Sequence, residues 1–380
     1  MKSILQGGCV WSPQNGFSKP CAVVIEDQRI AALGDYDEQD SIEQIINVDG
    51  LMVLPGLIDV HTHGRAGYDF IAATDAQMKE MKADYAKHGV TTLFPTLASA
   101  PLAEWERAIQ SIQNNAFEGI HLEGRYLNPL KRGAHAPELL ARLDATELKA
   151  VLKTIQIPCH ISAAWELDAD GSFAKTALES GATLGLGHTA ATAQQAREAQ
   201  ARGVTSFTHL FNAMPSLHHR EGGAVSVALT GDAYCELIVD GHHICSDMVA
   251  LAWHCIGKDR LVLISDSMEA TGCPDGEYAI AGQPAYVKNG IALTADGALA
   301  GSTLNLWDGV KNLMQFAAIP LEDAIACATV NPARMVGIFD RVGSIEVGKR
   351  ADLLLVDDTL TLRGVMMNGE LLYFQKERKE

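Results

Sequence analysis

Between residues 54 and 267 short apolar runs alternate with longer amphipathic stretches. Eight runs have the length and composition of buried strands: LIDVHTH, TTLFPT, GIHLEG, CHISAAWE, ATLGLGH, VTSFTHLFN, CELIVDG and LVLISDS. Near-continuous apolar runs suit strands covered on both faces, and segments such as TDAQMKEMKADYAKHG and TAQQAREAQARG carry a helical pattern between them. Repeated alternation of this kind predicts a parallel sheet, and eight units predict a (β/α)8 barrel of the TIM type. The interval between the sixth and seventh runs contains HHREGG and reads as a functional loop more than as a helix. The pattern changes at both ends. SILQGGCVW, CAVVIEDQRIAALG and IINVDGLMV, then GSIEVGKRADLLLVDD and TLRGVMMNGELLYF, read as short strands with polar turns. The expected organisation is a small β-sandwich domain built from residues 1–53 and 338–380, around a barrel over residues 54–337.

The length of 380 residues suits a barrel of about 250 residues with an additional module. A net charge of −17 argues against nucleic acid as a partner, since a phosphate backbone needs a basic surface. An anionic substrate would therefore need a local cation. No apolar run approaches the ~18 residues of a membrane span, and the first residues show no long apolar core of a secretory signal. None of the eight cysteines forms C-x-x-C, so they read as reduced thiols in a cytoplasmic protein.

Barrels of this type carry their chemistry at the C-terminal ends of the strands. The polar residues ending the runs are His61 and His63, Glu123, His188, His209 and Asp266. Residues i and i+2 of a strand share a face, so His61 and His63 can address one ion. Neutral imidazole suits zinc or ferrous iron, and a carboxylate completes or bridges such a site; Glu166, ending the fourth run, rivals Glu123 for that role. A single strand-end histidine is more often a hydrogen-bonded structural residue. Convergence of several on one mouth favours a metal. His121 and His160 sit inside strands and read as core or supporting groups, His88 as surface, and His254 as a helical residue with no partner.

The stretches PGLIDVHTHG, HLEGRYLNPLKRGAHAPE, LGLGHTAA, THLFNAMPSLHHREGG, VDGHH, ISDSMEATGCPDGEY and LAGSTLNL resemble the amidohydrolase superfamily. More narrowly, they resemble its branch that deacetylates N-acetylglucosamine 6-phosphate. The resemblance implies that Glu123, His188 and His209 hold a divalent metal, which favours Glu123 over Glu166. It implies zinc, with iron as the alternative, and one or two ions per subunit, because H-x-H is present. Asp266 would be the catalytic acid and base. His243 would touch the acetyl group, with His242 the weaker choice. Ala134, His135, Asn212, Ala213, Leu299, Ala300 and Gly301 match substrate-contacting positions. Arg220 matches a phosphate-binding arginine that reaches the neighbouring subunit's site, which implies a homodimer and supplies the missing cation.

The chain departs from the family at Arg125, where many members have proline, and at Ser265 and Ser267, where threonine and alanine are common. The nearest competing readings are the same reaction on N-acetylgalactosamine 6-phosphate and another amidohydrolase, such as a dihydroorotase or an N-acyl-amino-acid deacetylase. A non-catalytic metal-binding relative is a further alternative; the acid Asp266 beside the histidines argues against it.

Overall fold

The computed structural model describes residues 2–34, 36 and 42–375. Eight parallel strands form the barrel: β1 (Leu57–Thr62), β2 (Val90–Leu97), β3 (Ile120–Glu123), β4 (Cys159–Ala163), β5 (Thr183–Leu186), β6 (Val204–Phe207), β7 (Tyr234–Ile238) and β8 (Leu261–Ile264). They pair in sequence order from β1 to β8. β1 and β8 then meet at a seam that has no regular ladder. Bonds just past the strand ends close it: Asp266 N–H donates to the His61 carbonyl at 2.9 Å, and His63 N–H donates to that of Ser267 at 2.7 Å. The Ser265 hydroxyl also donates to Asp59 at 2.5 Å.

All eight expected strands are present, and six of them stop short of the expected polar ends: His63, Glu166, His188, His209, Asp240 and Asp266 lie beyond their strands. The helices between them begin where the sequence offers caps. Thr74 with Gln77, and Thr192 with Gln195, form capping boxes at the starts of Asp75–Lys87 and Ala193–Ala201. The interval after β6 corrects the loop expectation in part. The loop is there, but the apolar stretch after Gly222 folds into a helix, Gly223–Thr230, with Ala224, Val225, Val227 and Ala228 buried.

The main core joins the outward faces of the strands (Leu93, Leu122, Ile161, Leu184, Phe207, Leu237, Leu263) to helix residues such as Trp105, Phe173 and Val249. Full burial of each large side chain stabilises by roughly 1.5–3 kcal/mol. Ile58, Val60, Val262 and Ile264 pack with Met335, Ile338 and Val342. Polar groups also occupy the interior: His61, His121, His160 and Glu236 are fully buried.

After β8 a three-stranded antiparallel sheet, Gly276–Ile280, Gln283–Lys288 and Ile291–Thr294, brings residues 298–301 over the mouth. The strands from the two ends of the chain form one eight-stranded sheet, joined where Leu353–Val356 runs antiparallel to Met52–Pro55. Leu5, Val23, Ile25, Val53, Leu353 and Leu355 give this sheet its own core. Among the described residues no helix is long and apolar enough to cross a membrane.

Candidate active site

Strand geometry alone would send alternate side chains to opposite faces. At three positions the backbone overrides this by turning left-handed: φ is 46° at His188, 31° at His209 and 48° at Asp266. A non-glycine residue there is strained by about 1–3 kcal/mol, held by the surrounding structure. The turn ends each strand and aims its side chain across the mouth.

The carboxylate of Glu123 stands at the centre. Its Oε1 lies 3.1 Å from His188 Nε2 and 2.9 Å from His209 Nε2, and these two nitrogens are 3.0 Å apart. Its Oε2 lies 3.2 Å from His61 Nε2 and 3.1 Å from His63 Nε2. Asp266 Oδ1 is 3.1 Å from His63 Nε2 and 3.4 Å from His61 Nε2. Ligands about 2.0–2.1 Å from a tetrahedral ion stand about 3.3 Å from one another, and the separations above, 2.9–3.4 Å, are close to that. His61 Nε2 is buried without a well-angled hydrogen bond. Two facing imidazole nitrogens beside one carboxylate oxygen also need a shared cation or proton between them. The donor set fits metal: Glu123, His188 and His209 would hold one ion, and His61 and His63, with Glu123 and Asp266 beside them, would hold a second.

The electrostatics agree. Burial works against charge on His61, yet Glu123 and Asp266 hold its imidazole well above its usual value. His63 is pushed up to about 9, burial being outweighed by hydrogen bonds to Asp266 and Glu123. Glu123 is held well below the usual carboxylate range by His61, His188 and His209, against the effect of burial. The cluster draws positive charge into a dry pocket.

Behind the donors lie groups that orient them. His188 Nδ1 is 2.9 Å from the Lys131 carbonyl, and His61 Nδ1 is 3.1 Å from Glu236. Glu236 was not expected from the sequence. Its signal was an acid inside the apolar run CELIV, a placement that demands a buried partner. The same holds for Asp59 in LIDV, which burial lifts to about 6 despite its bonds from Ser265. Lys131 gave no signal, because only its carbonyl is used.

A cavity of about 250 Å³ opens onto the donors. It is lined by His63, Glu123, His188, His209 and Asp266, and also by Ala134, His135, Asn212, Ala213, His243, Leu299 and Gly301. Ala300 is buried behind Leu299 and Gly301. His61 lies beneath the cavity floor, fully buried. His243 Nδ1 is 2.7 Å from Asp240 Oδ2, which leaves Nε2 for the cavity, whereas His242 is exposed. Arg220 is not brought to this chain's cavity. It is exposed on the loop after β6 with its guanidinium 2.8 Å from His219 Nε2. Glu166 is occupied elsewhere, accepting from Asn128, Thr189 and the Ala190 amide, so it is not a donor in the mouth. His121 is bonded to Thr96 and Ser162, and His160 to Thr183.

The three departures also have places. Arg125 pairs with Glu147 at 3.2 Å and donates to the Ala100 carbonyl, away from the donors. Ser265 ties to Asp59 across the seam. The Ser267 hydroxyl lies 2.8 Å from those of both Thr62 and Tyr85. The two serines brace the backbone on either side of Asp266.

The model of the amidohydrolase family matches residues 52–372. The chain is 35% identical to N-acetylgalactosamine-6-phosphate deacetylase of Escherichia coli O157:H7 over 86% of its length and 89% of that protein's. It is 33% identical to N-acetylglucosamine-6-phosphate deacetylase of Bacillus subtilis, covering 96% of both. Among solved structures, a mutant N-acetyl-D-glucosamine-6-phosphate deacetylase of Mycobacterium smegmatis in complex with N-acetyl-D-glucosamine-6-phosphate superposes with a TM-score of 0.90 at 32% identity, over 98% of this chain and 99% of that one.

Proposed function

Because the chain belongs to the amidohydrolase family, we propose that it hydrolyses the acetamide of N-acetylglucosamine 6-phosphate, giving glucosamine 6-phosphate and acetate. The observation that carries this is the single cavity onto which Asp266, His243 and the Glu123-centred donor set all open. The chain's relatives, which act on N-acetylated amino-sugar phosphates, supply the substrate.

Glu123, His188 and His209 would hold the first divalent ion, zinc before iron, and His61 and His63 would complete a second position. A bound ion supplies a water whose pKa is lowered to about 7 and polarises the acetyl carbonyl. Asp266 accepts the proton of the attacking water as its oxygen bonds to the acetyl carbon. His243, oriented by Asp240, stabilises charge developing on the carbonyl oxygen. Asp266 then delivers the proton to the amine nitrogen as the C–N bond breaks. His135, Asn212 and the 299–301 segment surround the sugar. Arg220, exposed on its loop, meets the phosphate in a partner subunit's site within a homodimer. Eight free thiols fit a reducing compartment, the cytoplasm.

The test is Asp266→Asn. It should keep the ion on Glu123, His188 and His209 while turnover falls about 10²–10⁴-fold. Unimpaired turnover would remove Asp266 from the chemistry. The 35% identity to the galactosamine enzyme favours one second reading, the epimeric substrate. Comparing kcat/KM for the two phosphorylated sugars decides it. A higher value for N-acetylgalactosamine 6-phosphate would replace the first reading.

A further inference from the structure

Glu236 has no part in the chemistry above, yet its carboxylate lies inside the barrel with no exposed surface. Its strand neighbours are apolar, and burying an ionised carboxylate is expensive unless it is paired. Its Oε2 lies 3.1 Å from His61 Nδ1 and accepts the backbone N–H of His209 at 3.3 Å. Its Oε1 faces His160 Nε2 at 3.4 Å. An ionised carboxylate only accepts, so the nitrogen of His61 that faces it carries the proton. The nitrogen left to give up its proton to a metal is then Nε2, which faces Glu123 Oε2 and Asp266 Oδ1, the second metal position.

The four donor imidazoles are not backed alike. His188 leans on a carbonyl, and His63 Nδ1 and His209 Nδ1 are buried without partners. Of the four, only His61 has a carboxylate at hydrogen-bond distance from its rear nitrogen. A charged acceptor fixes the tautomer and raises the basicity of the ring more than a carbonyl does.

Resting on the metal-dependent reading above, we propose that Glu236 is a positioning residue that builds the second metal position through His61. The first position, on Glu123, His188 and His209, meets Glu236 only through the His209 backbone N–H, a bond that the oxygen of Glu236→Gln can still accept.

The test measures metal, not turnover. Wild type, Glu236→Gln and Glu236→Ala are loaded with zinc and dialysed. Their zinc-to-protein ratio is then measured by elemental analysis, and each ion's affinity by chelator competition. The same substitutions are repeated in a His61→Asn background. The glutamine variant is nearly isosteric and keeps an oxygen that can accept from His61 and His209, so it should fold if alanine does not. Wild type should hold two ions. Glu236→Gln should weaken one of them about 10–100-fold and leave the other unchanged. In the His61→Asn background the substitution should have no further effect on metal. Two ions held with unaltered affinity in Glu236→Gln would overturn the proposal. So would equal weakening of both ions, the same loss with His61 already removed, or a wild type that takes up a single ion. These readings need no substrate. A failure of the deacetylase assignment would instead appear as metal-loaded wild type that releases no acetate.

Discussion

A histidine can offer a metal only the nitrogen that carries no proton, and in this mouth three rings have that choice made by what stands behind them. The Lys131 carbonyl fixes His188, Glu236 faces His61, and Asp240 holds His243 at 2.7 Å. Asp240 itself is held below the usual carboxylate range by His243, although burial pushes the other way. Replacing Asp240 with alanine frees the His243 ring without touching a donor. Turnover should fall roughly tenfold or more, as expected for loss of an orienting hydrogen bond near developing charge, while metal content stays constant. Steady-state kinetics with elemental analysis on the same sample checks this. Unchanged turnover would assign the Asp240–His243 pair to structure alone.

At the scale of elements, the site depends on how closely strand ends approach. A Cβ at Gly124 would lie 2.4 Å from the Ser99 amide nitrogen and 2.6 Å from the Ala98 carbonyl carbon, both backbone atoms that cannot swing aside. Gly124→Ala must therefore push the end of β3 away from β2 and shift Glu123. It should destabilise by about 1–3 kcal/mol and weaken metal binding, measured by urea titration with and without zinc. At the seam, Asp59→Ala strands the buried Ser265 hydroxyl beside Asp266 and should cost about 1–3 kcal/mol in the same assay.

The eight strands were legible in the sequence because each is an apolar run bounded by polar residues, and so was the donor set, because its members end those runs. The left-handed turns at His188, His209 and Asp266 were not legible, since nothing about histidine or aspartate demands positive φ. Glu236 and Asp59 sit inside apolar runs, where nothing in the local pattern shows what they face. Their partners, His61 and Ser265, are 175 and 206 residues distant in the chain. The helix after Gly222 is hidden in the sequence because the polar HHREGG runs directly into its apolar residues.

At the scale of the whole molecule, an acidic chain that recruits an anionic sugar phosphate needs a local cation, and Arg220 is the one proposed above. Arg220→Ala should raise KM roughly 10–100-fold with kcat little changed, the loss of a charge-assisted bond. An unaltered KM would remove the phosphate role. Mixing Arg220→Ala with Asp266→Asn would restore activity if Arg220 serves the neighbouring subunit, because one site of the mixed dimer then receives both residues intact. Metal also ties the site to the fold. Six donors from the ends of five strands would be drawn together by bound metal, so chelation should abolish turnover and lower Tm, and zinc should restore both.

The most direct measurement is acetate release by the zinc-loaded protein from N-acetylglucosamine 6-phosphate beside unphosphorylated N-acetylglucosamine. The account predicts rapid release from the phosphorylated sugar and little or none from the plain one. No acetate from the phosphorylated sugar with zinc or ferrous iron, or equal release from both sugars, would contradict it.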